Sequence, residues 1–422
     1  MAHCGLDFGT SNSAVAVARN GRARLIALES GGESGTESRV LPSALFFDDE
    51  ATETVIGGEA MARYLDGVEG RLMRSLKSIL GTELMDDATL VHGHSVAFTD
   101  ILAGFLRQMK ARAEAVLDRE LDQVVHGRPV HFHDRNKVAD EAAAATLERV
   151  AKAAGFREVV FQFEPIAAAA AFEETLDAET LVLVADIGGG TSDFSVARLD
   201  PRRGGDADRS GDILAAGGIR LGGTDLDRLL SLKTVMPHLG HGADLGRTGL
   251  KTPNWIYQKL ATWAEINHLY TPETARDIAW LAARSEGDAR IARLVRVFEG
   301  RHGHRLAAEV ETAKVGLSDV GTTAIAARYA GFERPLPVSR GVLERAVAGA
   351  MARLTRAAGD CVSQAGLAPA DIAVVMFTGG TTYMPLVRQA IAAAVPDAQP
   401  LAFDQMGAVA SGLAISAERL FG

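Results

Sequence analysis

Residues 183–197 read LVADIGGGTSDFSVA, and residues 5–13 read GLDFGTSNS. The two stretches are one pattern written twice. Residues 7–18 are DFGTSNSAVAVA and residues 186–197 are DIGGGTSDFSVA. Both open on Asp-x-Gly, pass through Thr-Ser and continue as an alternating small and apolar run. Similarity at this distance points to two related halves. Each copy reads as a β-hairpin. TLVLVADI at 180–187 has the make-up of a buried strand, FSVARL returns as its partner, and SAVAVAR is the return strand of the first copy.

The chemistry of the turns follows from their residues. Glycine lets backbone N–H groups come close to anionic oxygens. Gly188, Gly189 and Gly190 supply this in the second turn and Thr191 adds a hydroxyl; Gly9, Thr10, Ser11 and Asn12 offer the same in the first. An aspartate opens each turn and another closes the second. Asp7, Asp186 and Asp193 therefore form a candidate set for one hydrated Mg²⁺, which takes carboxylates, waters and phosphate oxygens. Glu164 ends an apolar strand just before a helix, where a carboxylate can orient an attacking water.

Outward from the two turns, residues 99–121 carry Ile101, Leu102, Phe105, Leu106, Met109, Ala113 and Leu117 at the spacing of one buried helical face. Residues 124–132 and 159–163 read as strands. An Ala-rich helix is expected over 140–154, ended by Gly155, and EPIAAAAAFEETL opens another with Pro165 in its first turn. LGGTDLDRLLSL starts a helix after a Gly-Gly turn, and residues 255–314 are mostly helical by period and look like an insertion. IAVVMF is then a strand, TGG a turn and MPLVRQAIAAAV a helix, with a closing helix over 406–421. RRGGDADRSGD at 202–212 reads as an exposed loop.

Length and composition bound the rest. The chain has 422 residues, enough for two or more domains, with 47% hydrophobic and 23% charged residues and a formal net charge of -10. That charge argues against nucleic acid as a partner. Cys4 and Cys361 are far apart and indicate no disulfide framework, no signal peptide opens the sequence, and no apolar stretch suits a membrane helix. A cytoplasmic protein without membrane or nucleic-acid partners is expected. His126, His131, His133 and Asp134 lie in VHGRPVHFHD, where alternation permits a metal site but a polar strand end is the stronger reading.

The twin turns, followed in order by SLKSILG, FEPIAAAAAF, LGGTDLD, ETAKVGLS and FTGGTTYMP, resemble the ATPase domain of the DnaK-type heat-shock chaperones, within the actin, sugar-kinase and heat-shock ATPase superfamily. GRPVHF and AAGFREVVFQFEP look most like the YegD branch. The resemblance implies an α/β, two-lobed actin-like ATPase fold: duplicated ribonuclease-H-like domains around a nucleotide cleft. Lobe I would span 1–175, with 35–97 as its outer part and 1–34 and 98–175 as its core. Lobe II would span 176–422, with a mostly helical outer part at 225–318 and a core of 176–224 and 319–422.

The resemblance further implies ATP or ADP with Mg²⁺ as ligands, slow hydrolysis coupled to lobe opening and closing, and a protein co-regulator. Asp7 and Asp186 would surround the magnesium, with Asp193 near metal and water. Thr10, Ser11 and Thr191 would contact phosphate, Lys77 would lie near the γ-phosphate, and Glu164 would position the water. Gly222 and Gly223 would line the cleft, Glu311, Lys314 and Ser318 would contact ribose and adenine, and Gly379 and Gly380 would pass beneath the nucleoside. Departures fall at the base end. Tyr383 and Val315 stand where the chaperones carry arginines, and Met406 where they carry an acidic residue. Tyr383 could still stack on a base. The sequence ends at Gly422 without the linker and peptide-clamping sandwich of a full chaperone, so none is expected from it. An actin-like filament former, a small-molecule kinase and a nucleotide-binding module with little turnover are the alternatives.

Overall fold

The computed structural model describes residues 2–29, 38–80, 85, 87–132, 137–203, 209–245, 250–402 and 407–422. Met406, His133, Asp134 and the Gly81 that ends SLKSILG lie outside these residues.

Two mixed sheets share one strand plan. The first contains β1 (His3–Phe8), β2 (Asn12–Arg19), β3 (Arg22–Leu25), β4 (Gln123–Arg128) and β5 (Glu158–Phe163) in the order β5-β4-β1-β2-β3, with the short strand Leu41–Pro42 also on β2. The second contains β6 (Thr180–Ile187), β7 (Ser192–Leu199), β8 (Ile213–Ile219), β9 (Val374–Thr378) and β10 (Gln399–Ala402) in the order β10-β9-β6-β7-β8. In each, the first strand pairs antiparallel with the second and parallel with the fourth, the second pairs antiparallel with the third, and the fourth pairs parallel with the fifth. The duplication seen at the two turns thus extends through ten strands.

The helices repeat the plan. α1 (Phe98–Leu117) and α4 (Arg340–Gln364) precede the fourth strand of each half, and α2 (Lys137–Ala153) and α5 (Pro385–Ala392) join the fourth to the fifth. α3 (Glu164–Glu173) and α6 (Ala408–Phe421) follow the fifth strand of each half. α1 buries the expected stripe of Ile101, Leu102, Phe105, Leu106, Met109 and Ala113 and ends at Asp118, whose left-handed backbone donates its N–H to Glu114 O.

The last helix of each half packs on the other half's sheet. α3 sets Ile166 and Ala169 against Val182, Val184, Ala197 and Val374 of the second sheet. α6 sets Ala410 and Ala414 against Ala14 and Ala16, and Leu413 against Val125, of the first. This explains the alanines of α3, whose residues 166–170 are all buried: a helix apolar all round is one enclosed all round. The two helices cross where a Cβ on Gly412 would lie 1.7 Å from Ala167 O, so only glycine permits that approach.

The outer parts differ. In the first half, strands Ala44–Asp48, Glu53–Ile56 and Gly70–Arg74 form a three-stranded sheet beside the helix Gly58–Asp66. In the second, helices Gly223–Thr234, Asn254–Ala261, Pro272–Arg284, Ala289–Glu299 and Gly303–Gly316 dominate, as the period of 255–314 predicts. Of 202–212, expected as an exposed loop, residues 204–208 lie outside the described residues and Arg202 is exposed, but the end of the stretch differs. Arg209 and Asp212 are buried, and Arg209 donates to both Glu173 at the end of α3 and Asp212. Glycine-rich polarity conceals this ion pairing, because one partner, Glu173, is distant in sequence.

Candidate functional site

The site is built where the two hairpin turns face each other. Asp7 lies near the end of β1, and Asp186 on β6 pairs in register with Asp193 on β7. Lys77 stands on a 3-10 turn, Leu76–Ile79, reached from the strand Gly70–Arg74; Glu164 is the first residue of α3. The structure brings these two together: Lys77 Nζ lies 2.5 Å from Glu164 Oε1, with both side chains largely buried. Gly127 of β4 leaves the room this requires, since a Cβ there would come 3.2 Å from Glu164 Cγ.

The electrostatics are those of a crowded anionic site. Burial and then repulsion from Glu164 push Asp7 up to about 7, against the pull of Lys77. Asp186 is raised well above the usual carboxylate range by burial, then by Glu164, Asp193 and Asp7. Burial alone would depress Lys77, but Glu164 and Asp7 outweigh it and its ammonium is stabilised. Four carboxylates around one ammonium leave unbalanced negative charge, a setting that suits an added cation. Among the described residues no group of three His, Cys, Asp or Glu converges closely enough to ligate a metal directly.

The turns form a backbone cradle. Gly189 N donates to Ser11 Oγ at 3.2 Å, joining the two turns across the halves. Gly223 N and Thr224 N donate to the carbonyls of Gly188 and Gly189, at 3.0 and 2.8 Å, and Thr381 Oγ1 donates to Gly188 O at 2.8 Å. A Cβ on Gly222 would lie 2.5 Å from the Gly189 carbonyl. Gly379, at φ +82°, turns the chain where a Cβ would meet Asp186 Oδ1 at 2.5 Å. Gly9, Thr10, Asn12, Gly190 and Gly380 lie on these same turns, and Thr191 Oγ1 donates to Asp193 Oδ2 at 3.0 Å.

At the other end, Lys314 is buried and spans two elements, donating to Gly223 O at 3.1 Å and to Asp227 Oδ2 at 2.9 Å. Glu311 and Ser318 are half-buried on and just after the same helix, while Val315 and Tyr383 are exposed. Burial raises Asp227 to about 6, partly offset by Lys314, and its Oδ1 has no hydrogen-bond partner among the described residues.

Sequence reasoning passed over three residues here. Asp227 sits inside LGGTDLD, one helical turn after Gly223, and was open to notice. Ser43 donates to Gly9 O at 2.7 Å and props the first turn, and Arg74 sits in the field of Glu311 and Asp227. Neither carries a signal in its own neighbourhood.

The Hsp70 protein family profile matches residues 3–236 and 298–422, most of the chain. The chain belongs to the Hsp70 family. This Hsp70-family chain has the two-lobed, actin-like ATPase fold, with the twin sheets as its duplicated cores. It is 29% identical over 439 residues to a "Chaperone protein HscA homolog" of Azotobacter vinelandii, covering 99% of this chain and 58% of that protein. A second such homolog from Azotobacter vinelandii is 28% identical over 432 residues with the same coverage. The Hsp70-family chain therefore spans about 58% of the length of these curated relatives. Residues 237–297, in the outer helical part, fall outside the family match. Among the described residues no helix is long and apolar enough to cross a membrane.

Proposed function

We propose that this Hsp70-family chain binds Mg-ATP between its lobes, hydrolyses it slowly, and passes the resulting change of lobe closure to a protein partner. The observation that carries the reading is the buried Lys77–Glu164 pair set among Asp7, Asp186 and Asp193, beside a glycine turn in which Gly190 has open space at its Cβ position. The residues fit the ligand: the carboxylate excess calls for a cation, and Gly190 has open space where a side chain would stand. When bound, the magnesium ion would neutralise phosphate charge.

The chain's own groups divide the remaining work. Lys77 places an ammonium where negative charge grows. Glu164 holds Lys77 and orients water, with Asp193 and the Thr191 hydroxyl beside it. Asp7 and Asp186 hold the hydrated ion. Gly222, Gly223, Gly379 and Gly380 form the floor, and Lys314, Glu311 and Ser318 face the ribose, with Tyr383 as a ring for the base. The working map divides the lobes at 175/176, with outer parts at 35–97 and 225–318. The YegD-like placement and a cytoplasmic, chaperone-related role belong to the same proposal.

Calorimetric titration with ATP, ADP and GTP, paired with a turnover assay, tests it. ATP and ADP should bind, and Lys77→Ala should lose at least about a hundredfold in turnover with an unchanged circular dichroism spectrum. Absence of binding by every nucleotide overturns the reading. Binding with no turnover selects a second one, a nucleotide-binding module, which the departures at Tyr383 and Val315 favour.

A further inference from the structure

α3 carries a carboxylate at each end and little but alanine between them. Apart from those glutamates, Pro165, Ile166 and Phe172 are its only side chains larger than alanine, and residues 166–170 are all buried. Alanine packing has little shape, so turning such a helix about its axis exchanges one methyl for another. The apolar contacts therefore fix where α3 lies better than how it is turned. Its two ends fix the turn. Glu164 accepts from Lys77 at 2.5 Å. Glu173 is buried and accepts from Arg209 Nη2 at 2.6 Å, from Arg209 Nη1 at 3.0 Å and from the Asp200 backbone N–H at 2.9 Å.

The second anchor is built for direction. Two N–H groups of one guanidinium on one carboxylate specify orientation as well as distance. Arg209 also donates to Asp212, which Arg203 reaches as well, so two cations meet two carboxylates. The helix dipole opposes a carboxylate at a C-terminal end, so its donors, and not the helix, account for Glu173 there. The anchor also crosses the lobes of the working map: α3 closes lobe I, while Asp200, Arg209 and Asp212 lie between β7 and β8 of lobe II. α3 has 10 residues, so its ends stand about 14 Å apart. At a carboxylate about 5 Å from the axis, a turn of about 10° moves an oxygen by about 1 Å. A displacement of that size can slow a reaction by about a hundredfold.

We propose that Arg209 is a positioning residue for hydrolysis: by gripping Glu173 it sets the rotation of α3, and through it the direction of Glu164 towards Lys77 and the water. The inference rests on the nucleotide reading above and adds to it a residue of lobe II, at the far end of α3, that governs turnover.

Single-turnover hydrolysis and calorimetric ATP affinity, measured on the full chain, test it. Arg209→Met and Glu173→Ala should each slow hydrolysis about tenfold, with the ATP Kd within twofold of wild type because the phosphate turns are untouched. In a Glu164→Gln background the same substitutions should change the rate by less than twofold, since no carboxylate is left to aim. Hydrolysis within twofold of wild type in both single variants overturns the inference. So does a tenfold loss that persists in the Glu164→Gln background, which is what a general loosening of the fold would give. Arg209→Met strands buried carboxylates. Where circular dichroism shows it or Glu173→Ala unfolded, Glu173→Gln, which keeps the shape of the pair and removes its charge, carries the test. About a threefold loss is then expected, and an unchanged rate overturns the inference. If the wild type neither binds nor hydrolyses ATP, the nucleotide reading falls and takes this step with it; wild-type turnover with unaltered variants sinks the positioning role alone.

Discussion

Asp186 is a residue whose place costs the fold. Burial and three neighbouring carboxylates raise it well above its ordinary range, so at neutral pH its ionised form is disfavoured in the folded chain relative to the unfolded one. Removing that charge should stabilise the nucleotide-free protein. Asp186→Asn is expected to raise its melting temperature by about 2 °C while abolishing magnesium-dependent turnover. Differential scanning fluorimetry without nucleotide decides it, and a lowered melting temperature would refute the account of a strained anionic site. This scale was legible in the sequence where chemistry sits on a local signature: Asp7 and Asp186 end apolar strands, and Gly188–190 make a turn. Ser43, Arg74 and Arg209 were not legible, because each acts on a partner remote in sequence and local pattern carries no trace of that distance.

Among elements, α3 and α6 cross at a glycine that leaves no space for a side chain. Gly412→Ala would drive a methyl into Ala167 O and should cost about 3 kcal/mol, the upper range for overpacking. Gly349, on α4, has nothing within 4 Å of its virtual Cβ. Gly349→Ala should therefore gain up to about 1 kcal/mol through helix propensity. Urea midpoints of the pair, moving in opposite directions, check both. Periodicity placed most of these elements well. Residues 99–121 and 140–154 correspond to Phe98–Leu117 and Lys137–Ala153, and 384–395 to the shorter Pro385–Ala392. The insertion at 255–314 was legible as helical, but its 3-10 stretch Trp263–Leu269 was not, since a period of three over seven residues is nearly indistinguishable from an α-helical one.

For the molecule as a whole, acid response is a contest. Burial pushes His126 and His304 down to about 4, so the unfolded chain takes up protons from about pH 6.5 downward while the folded chain does not. Each histidine then removes stability, at up to about 1.4 kcal/mol per pH unit, as pH falls from 6.5 towards 4. Asp7, raised to about 7, does the reverse: the folded state binds its proton first, and acid stabilises it. In Asp7→Asn that part of the opposition is gone, with Asp186 and Asp227 still raised, so between pH 6.5 and 5 this variant should lose stability faster than the wild type. Guanidinium midpoints at the two pH values measure the difference; an equal or slower loss would show that Asp7 does not take up its proton early in the folded chain. The fold's duplication was legible from two turns alone, yet the matching of five strands per half was not. Outside those turns, the halves share a topology that is written in different residues.

The reciprocal placement of α3 and α6 has a consequence for how such a chain is held together. Each half lends its final helix to the other, so the contacts between halves are those of two molecules exchanging an arm. Residues 174–179 link them, Leu176 extending the packing of α3 on the second sheet, and they replace an encounter between separate partners with a fixed effective concentration. Covalent continuity here governs how often the halves meet, and the exchanged arms govern how they fit.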